Sequence, residues 1–117
     1  MEFDHFTVAL LLLRPDAPEL DEGAATALQD DHLAHLAEMH DAGQLLAAGP
    51  VPGPPDQELR GVSIFTVGVD EARRLAERDP AVRAGRFQVD LYPWMVPAGA
   101  ISFSATRFPR STAEARG

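Results

Sequence analysis

A chain of 117 residues with a formal net charge of −8 has room for one domain and is too short for two independent cores. Its longest apolar run, Val8 to Leu13, is far below the ~20 residues of a membrane span, so we expect no membrane partner. The absence of cysteine excludes disulfides, thiolate metal sites and a cysteine nucleophile, which leaves carboxylates, imidazoles, hydroxyls and arginines for any chemistry. The negative charge repels a phosphate backbone, and we expect no nucleic-acid partner. The N-terminal residues carry acids where a secretory signal carries basic groups, which favours a cytoplasmic protein.

The first half of the chain predicts a strand, a long helix and a second strand. Phe3 to Leu13 is rich in β-forming residues and apolar on both alternating faces, which predicts a strand covered on both sides. After a proline-containing connection, Asp21 is placed to cap a helix that ends at Gly43. Gln44 to Val51 is short and apolar and predicts the second strand. The segment that follows, Pro52 to Arg60, is too rich in proline for regular structure.

The second half predicts two more strands around a short helix. Gly61 to Val69 is apolar on both faces and predicts the third strand. Asp70 is placed to cap the helix, which Pro80 limits because the residue before a proline disfavours helical angles. Ala81 to Gly85 predicts one further helical turn, and the clean alternation of Arg86 to Trp94 predicts a fourth strand with one wetter face.

Beyond Trp94 the pattern weakens. Ala100 to Ser104 predicts a weak extra strand, and we expect the polar, arginine-bearing remainder to be at most partly ordered. We therefore expect a single domain over residues 1–117, with a core of about residues 3–94 and a C-terminal extension of residues 95–117.

The predicted order of elements is β-α-β-β-α-β, the split unit of a ferredoxin-like α+β sandwich with an antiparallel sheet and both helices on one face. The other sheet face is then uncovered. Because the first and third strands are apolar on both sides, a monomer would expose a large apolar surface, which two sheets packed face to face would hide. The sequence therefore predicts a homodimer.

The long helix carries a histidine within its apolar stripe. At ~100° per residue, one side of this helix holds Leu28, His32, Leu36 and Met39. The opposite side, which we expect to face outward, holds Asp30, Ala34, Ala37 and Asp41. A buried imidazole needs partners for its nitrogens, and Asp79 after the second helix is the best candidate to bind His32.

Two spacings carry a family resemblance. The helix-to-strand pattern H…G-x-L-x-x-x-G-P is matched by His32, Gly43, Leu45, Gly49 and Pro50. The pattern D-P-x-x-x-x-G is matched by Asp79, Pro80 and Gly85. With these motifs the chain resembles YCII-related (YciI-like) proteins of the dimeric α+β barrel superfamily, over about residues 32–94. The resemblance implies a ferredoxin-like fold, a homodimer, and a histidine and an aspartate facing a common pocket, here His32 and Asp79.

Proteins of this kind include small lyases, dehydrochlorinases and isomerase-like enzymes that move protons on small organic molecules. The resemblance thus implies a cofactor-free enzyme in which Asp79 fixes the imidazole tautomer and His32 takes a proton from the substrate. One alternative is a non-catalytic dimeric module that binds a small molecule or assists another enzyme. Another is a purely structural pair in the core. The lead-in at residues 14–29 and the extension after Trp94 depart from the family pattern, and the substrate stays open.

Weaker candidates surround the pair. Arg83 and Arg86 follow the aspartate closely and are placed to hold a substrate carboxylate, although outward arginines are usually solvated. Gly49 and Pro50 belong to a turn that we expect to border the pocket, and their segment lacks the pattern of a phosphate loop. Trp94, at a strand end, would wall the pocket or make an ordinary core or dimer contact.

A metal site is the other possibility on the long helix, since His32 and His35 are three residues apart and are therefore neighbours. A helical pair supplies only two ligands, and no third ligand has a telling spacing. We therefore expect no metal, and we expect His35 and His40 to be solvated residues at the edge of the stripe.

Overall fold

The computed structural model describes all 117 residues and contains four strands and four helices. The strands are β1 (Phe3–Leu13), β2 (Leu45–Pro50), β3 (Leu59–Phe65) and β4 (Phe87–Pro97). The helices are α1 (Glu22–Asp41), α2 (Val69–Glu77), α3 (Pro80–Arg83) and α4 (Thr112–Arg116). None of the helices is both long enough and apolar enough to cross a membrane.

The four strands form one antiparallel sheet in the order β2-β3-β1-β4. β1 pairs with β4 along its whole length, from Phe3 opposite Pro97 to Leu13 opposite Phe87. Its other edge pairs with β3, and β2 closes the sheet on the far side of β3. Two helical connections join these strands, so the predicted ferredoxin-like α+β fold is confirmed.

The helices cover one face of the sheet, to which alternate residues of β1 point. Thr7, Ala9 and Leu11 are buried there. The Thr7 hydroxyl donates a hydrogen bond of 2.7 Å to the Val67 carbonyl, so this buried polar group is satisfied. The largest core cluster joins the sheet to α1 and α2 through Ala9, Met39, Leu45, Phe65, Ala72 and Leu75. Removal of these side chains from water fixes both helices against the sheet.

The opposite sheet face carries apolar side chains that no helix covers. On β1 these are the half-buried residues Phe6, Val8, Leu10 and Leu12. Their cross-strand neighbours on β4 include Trp94 and Tyr92, which are 40% and 52% exposed. The strand register places Ile64 and Val62 of β3 on the same face. The apolar face expected from the sequence is therefore present, and we call it the open face.

α1 begins and ends where the sequence indicates. The Asp21 carboxylate accepts a hydrogen bond of 2.8 Å from the N–H of Ala24, which satisfies one of the free donors of the first turn. Gly43 has a φ of 77°, a left-handed conformation that glycine adopts without strain. The chain turns there from α1 into β2.

β3 and α2 lie closer to the N-terminus than predicted. β3 ends at Phe65, and α2 has Gly68 as its N-cap, so the predicted strand end at Val69 and the predicted cap at Asp70 are wrong. The hydroxyl and N–H of Thr66 bind carbonyls of the turn between α1 and β2, and do not extend the ladder with β1. Asp70 instead lies in the first turn of α2, where its charge is favourable near the positive end of the helix dipole.

The predicted weak strand at Ala100–Ser104 is not formed. Gly99 turns the chain after β4 with a φ of 81°, and its N–H donates to the Asp4 carboxylate. Phe103 then packs edge-on against Phe6, with ring centroids 5.4 Å apart. This segment is therefore held by side-chain packing at the open face and not by the hydrogen bonds of a strand.

Residues 105–117, which we call the tail, dock along α1. The Phe108 ring stacks on the His40 ring with centroids 4.0 Å apart and an interplanar angle of 11°. Near the middle of the helix, Thr112 donates two hydrogen bonds to Asp30, of 2.7 Å from its N–H and 2.9 Å from its hydroxyl. The prediction of a tail that is at most partly ordered is therefore wrong.

The docked tail changes the surroundings of α1. The helical periodicity predicts that Asp30 and Asp41 face outward, yet Asp30 binds Thr112 and Asp41 forms an ion pair with Arg110. Ala37 lies between these two carboxylates on the same side of the helix and is only 1% exposed. The expectation that this side faces outward is wrong for Ala37, because α1 has covered surfaces on both sides.

Two carboxyl groups are perturbed by the tail contacts. Hydrogen bonds from Thr112, first from its backbone N–H and then from its hydroxyl, lower the pKa of Asp30. The backbone N–H of Arg110 and the side chain of Arg107 lower the pKa of Glu114. Both carboxyl groups are therefore stabilised as anions, one on α1 and one within the tail.

Candidate active site

His32 and Asp79 meet between α1 and the start of α3. His32 lies on the inward side of α1 and is 7% exposed, and Asp79 is 3% exposed. The Nδ1 atom of His32 is 2.6 Å from the Oδ2 atom of Asp79. The two side chains thus approach within hydrogen-bond reach, as expected from the sequence.

The position of Asp79 is set by the helix that follows it. Asp79 is the N-cap of α3, and its Oδ1 atom accepts a hydrogen bond of 2.9 Å from the N–H of Ala81. Pro80 occupies the first turn, where its missing N–H loses nothing and its fixed φ suits a helix start. Both carboxylate oxygens are therefore bonded, one to backbone and one to imidazole, and the carboxylate has little freedom to rotate.

This arrangement selects one tautomer of His32. An ionised carboxylate can only accept hydrogen bonds, so we assign the ring proton to Nδ1, which donates a hydrogen bond to Asp79. Nε2 of the neutral ring then holds a lone pair. No buried side-chain nitrogen or oxygen atom lacks a partner, and Nε2 makes no hydrogen bond, so Nε2 reaches accessible surface.

A cavity of about 650 Å³ opens beside His32, between α1, β2, the proline-rich segment after β2, the start of β4 and the tail. Its apolar wall includes Leu33, Leu36, Ala48, Val51, Phe87 and Phe108. Its polar wall includes Gln29, Gln57, Arg60, Ser63, Arg86, Thr112 and Arg116. The volume lies within the range of roughly 300–1,000 Å³ that is typical of small-molecule sites. His32 is one of the residues that line this cavity, so its imidazole borders a space large enough for a small molecule.

The weaker candidates divide into two groups. Gly49, Pro50 and Arg86 line the cavity together with His32. Arg83 and Trp94 are not among its lining residues. Arg83 is exposed on α3, and Trp94 lies on the open face of the sheet, with its ring centroid 6.2 Å from that of Phe6.

Sequence reasoning missed the contribution of the tail to the cavity. Phe108, Pro109, Thr112, Ala115 and Arg116 all line it. One signal was present, since the letters STAE at residues 111–114 form an S-x-x-E capping pattern, and the Ser111 hydroxyl does accept a hydrogen bond from the N–H of Glu114. That pattern predicts a helix start but not where the helix docks.

His35 and His40 are not solvated edge residues, and that expectation is wrong. His35 donates from Nε2 to the Leu75 carbonyl at 2.9 Å. His40 donates from Nδ1 to the Leu45 carbonyl at 2.7 Å and accepts at Nε2 from the N–H of Thr106 at 3.1 Å. These imidazoles connect α1 to its neighbours. No group of three or more His, Asp or Glu side chains is arranged to hold a metal ion.

A comparison with protein families places this site in context. The model of the family described as the YCII-related domain matches residues 8–95, which include both members of the pair. The chain belongs to this family. In this YCII-related protein the match runs from β1 into β4, and so it extends to the lead-in that the two sequence motifs did not cover.

Solved structures with a similar backbone fold include a 5-chloro-2-hydroxyhydroquinone dehydrochlorinase (TftG) from Burkholderia phenoliruptrix AC1100, in complex with 2,5-dihydroxybenzoquinone. It has a TM-score of 0.54 and 23% identity over 76% of this chain and 92% of that chain, which shows a shared fold. A second is a dimeric protein of unknown function and ferredoxin-like fold from Bacteroides fragilis NCTC 9343, with a TM-score of 0.46 and 14% identity over 79% of this chain and 95% of that chain. No curated protein matches this YCII-related protein.

Proposed function

We propose that this YCII-related protein is an enzyme that transfers a proton on a small organic molecule, with His32 as the general base and Asp79 as its orienting partner. The observation that carries the proposal is the hydrogen bond of 2.6 Å between them, which leaves Nε2 of a buried imidazole accessible beside a cavity of about 650 Å³. His40, in contrast, uses both ring nitrogens within the protein.

In the proposed reaction, Nε2 removes a proton from a carbon or hydroxyl acid held in the cavity. The imidazolium that forms is stabilised by the Asp79 carboxylate, which receives the hydrogen bond from Nδ1 before and after the transfer. In an isomerisation the same Nε2–H returns the proton to another atom of the substrate. In an elimination the substrate loses its leaving group with the electron pair, and Nε2–H releases the proton to solvent.

The surroundings of the pair favour this chemistry. The Phe87 ring lies with its centroid 6.1 Å from that of His32, and apolar side chains form much of the cavity wall. Such a wall excludes water and strengthens the interaction of the imidazolium with the carboxylate. The shared fold with a dehydrochlorinase agrees with an elimination, a reaction in which a base removes a proton.

The experiment is a thermal-shift screen of small organic acids, phenols and quinones, followed by turnover assays on each ligand found. A ligand at 100 times its Kd should stabilise the folded protein by about 2.7 kcal/mol. His32→Asn is the matched variant, because its amide can still donate to Asp79 from the place of Nδ1 while Nε2 is lost. We expect this variant to bind the ligand without converting it. A ligand that binds tightly but is not converted by the wild-type protein would support the non-catalytic binding module instead.

We also propose that two copies of the chain pack through their open faces. Tyr92 and Trp94 are 52% and 40% exposed in one copy, and β1 presents further apolar side chains beside them on the same face. An apolar surface of this kind is stable in water when a second sheet covers it.

A further inference from the structure

The charges of the cavity wall are opposite to those of the whole protein. The chain carries 18 acidic and 10 basic residues, all of the latter arginine. Yet the 25 residues that line the cavity include three arginines and neither Asp nor Glu. The three arginines come from separate parts of the chain and are Arg60, Arg86 and Arg116. The fixed charges of this wall favour an anion over a cation, in contrast to the acidic surface of the rest of the chain.

These arginines are also free of carboxylate partners. The arginines in ion pairs are Arg14, Arg74, Arg107 and Arg110, and none of them lines the cavity. Arg60 donates to the backbone carbonyls of Gln57 and Pro55, which hold the side chain without neutralising it. The positive charge of the wall is therefore not compensated by hydrogen bonds to carboxylates.

Arg86 is the best placed of the three. Its guanidinium carbon lies 5.1 Å from the centroid of the Phe87 ring, and the ring centroid of His32 lies 6.1 Å from the same point. The guanidinium makes no hydrogen bond to another group of the protein, so its planar set of donors is available to a carboxylate. Arg86 and His32 therefore both lie next to the Phe87 ring, and both line the cavity.

We infer that the cavity takes a small organic anion, whose carboxylate or phenolate oxygen binds Arg86 while its apolar body lies against Phe87 and reaches His32. This inference rests on the proposed function, because it uses the same cavity and names the class of substrate. The apolar wall selects against inorganic anions, since Leu33, Leu36 and Phe108 offer no side-chain hydrogen bonds to a second charged end.

The test compares matched pairs of probes by titration calorimetry at low salt. Benzoate, 4-hydroxybenzoate and cyclohexanecarboxylate are measured against the amides of the same acids, which have nearly the same shape and no charge. Inorganic phosphate is measured in parallel. Arg86→Gln is the test variant, and Arg83→Gln is its control, because Arg83 is three residues away, carries the same charge and does not line the cavity.

We expect at least one carboxylate to bind more tightly than its amide, and Arg86→Gln to weaken that binding about 10-fold to 100-fold. Arg86→Lys should recover only part of the loss, because an ammonium lacks the planar pair of donors. Arg83→Gln should leave the Kd almost unchanged.

The inference is overturned if amides bind as tightly as carboxylates, if phosphate binds as tightly as benzoate, or if none of the carboxylates shows saturable binding up to tens of millimolar. An equal effect of Arg83→Gln and Arg86→Gln would overturn it too, since general charge would then explain the binding. These are binding measurements, so their failure leaves the proton-transfer proposal standing. That proposal fails by itself if anions bind at Arg86 and no substrate conversion depends on His32.

Discussion

Replacing Asp79 by asparagine changes the charge next to His32 with little change of shape. Asparagine caps helices about as well as aspartate, so the start of α3 should persist. The amide has one oxygen, and the N–H of Ala81 requires it. The amide NH₂ then faces Nδ1 of His32, which must become the acceptor, and the imidazole proton moves to Nε2. The variant therefore has no lone pair on the side of the cavity.

The size of the effect follows from this exchange of tautomers. Loss of a general base lowers turnover by about 10²-fold to 10⁴-fold. The variant also exchanges a hydrogen bond to a charged carboxylate for one between neutral groups, which costs about 1 kcal/mol of stability in this buried pair. Urea denaturation measures the second effect. Nitrogen-15 NMR of the imidazole ring identifies which nitrogen carries the proton, and it needs no substrate.

Two results would refute this reasoning. One is a variant in which Nδ1 still carries the proton, since the carboxylate would then not be the group that selects the tautomer. The other is a folded variant with the turnover of the wild-type protein on the identified substrate. A purely structural pair would lose stability without a separate loss of turnover per folded molecule.

Three further predictions concern the rest of the molecule. Leu10→Asp on the open face should convert a dimer into monomers in light scattering, since an unpaired buried charge costs several kcal/mol. The control Ala27→Asp, on the exposed side of α1, should leave the dimer intact. A wild-type protein that is purely monomeric at micromolar concentration contradicts the dimer. Phe108→Ala should lower the free energy of unfolding in urea by about 1–2 kcal/mol, less than the loss for a fully buried ring, and an unchanged value would mean that the tail adds no stability. Because its pKa is lowered, the Asp30 carboxylate stabilises the folded protein fully when the pH is above its ordinary pKa of 3.8. This stabilisation is lost as the pH falls through the lower pKa of the folded state. Asp30→Asn should remove this acid dependence of tail docking, measured by hydrogen exchange at Thr112, and an unaltered pH profile would contradict it.

Much of the fold could be predicted because its signals are local. The alternation in β1 and β4, the cap at Asp21 and the glycine at residue 43 each act within a few residues, and each is found in the structure. The end of β3 could not be predicted, because Thr66 is drawn out of the ladder by carbonyls of a turn more than twenty residues earlier in the chain. The docking of the tail could not be predicted for the same reason, because it depends on contacts between residues far apart in the chain, such as Thr112 with Asp30.

The candidate site shows the same division. The approach of His32 to Asp79 could be predicted, because helical periodicity turns His32 inward and the family resemblance implies Asp79 as its partner. The neighbourhood of the pair could not. The sequence gives no reason to prefer Arg83 or Arg86 as a substrate-binding residue. Only Arg86, directly before β4, lines the cavity. Arg116 is separated from His32 by most of the chain, and its place at the cavity depends on the docking of the tail.

The tail and the dyad are attached to different sides of one helix. The tail binds α1 through Asp30, His40 and Asp41, whereas Asp79 binds it through His32. Substitutions at Phe108, Pro109 or Ala115 can therefore reshape the cavity without altering the hydrogen bond that holds the imidazole. In the proposed reaction, selectivity and proton transfer would therefore depend on different parts of the chain. A library restricted to residues 105–116 would change which molecules fit while leaving the proposed base in place, and this makes the tail the natural starting point for redesign.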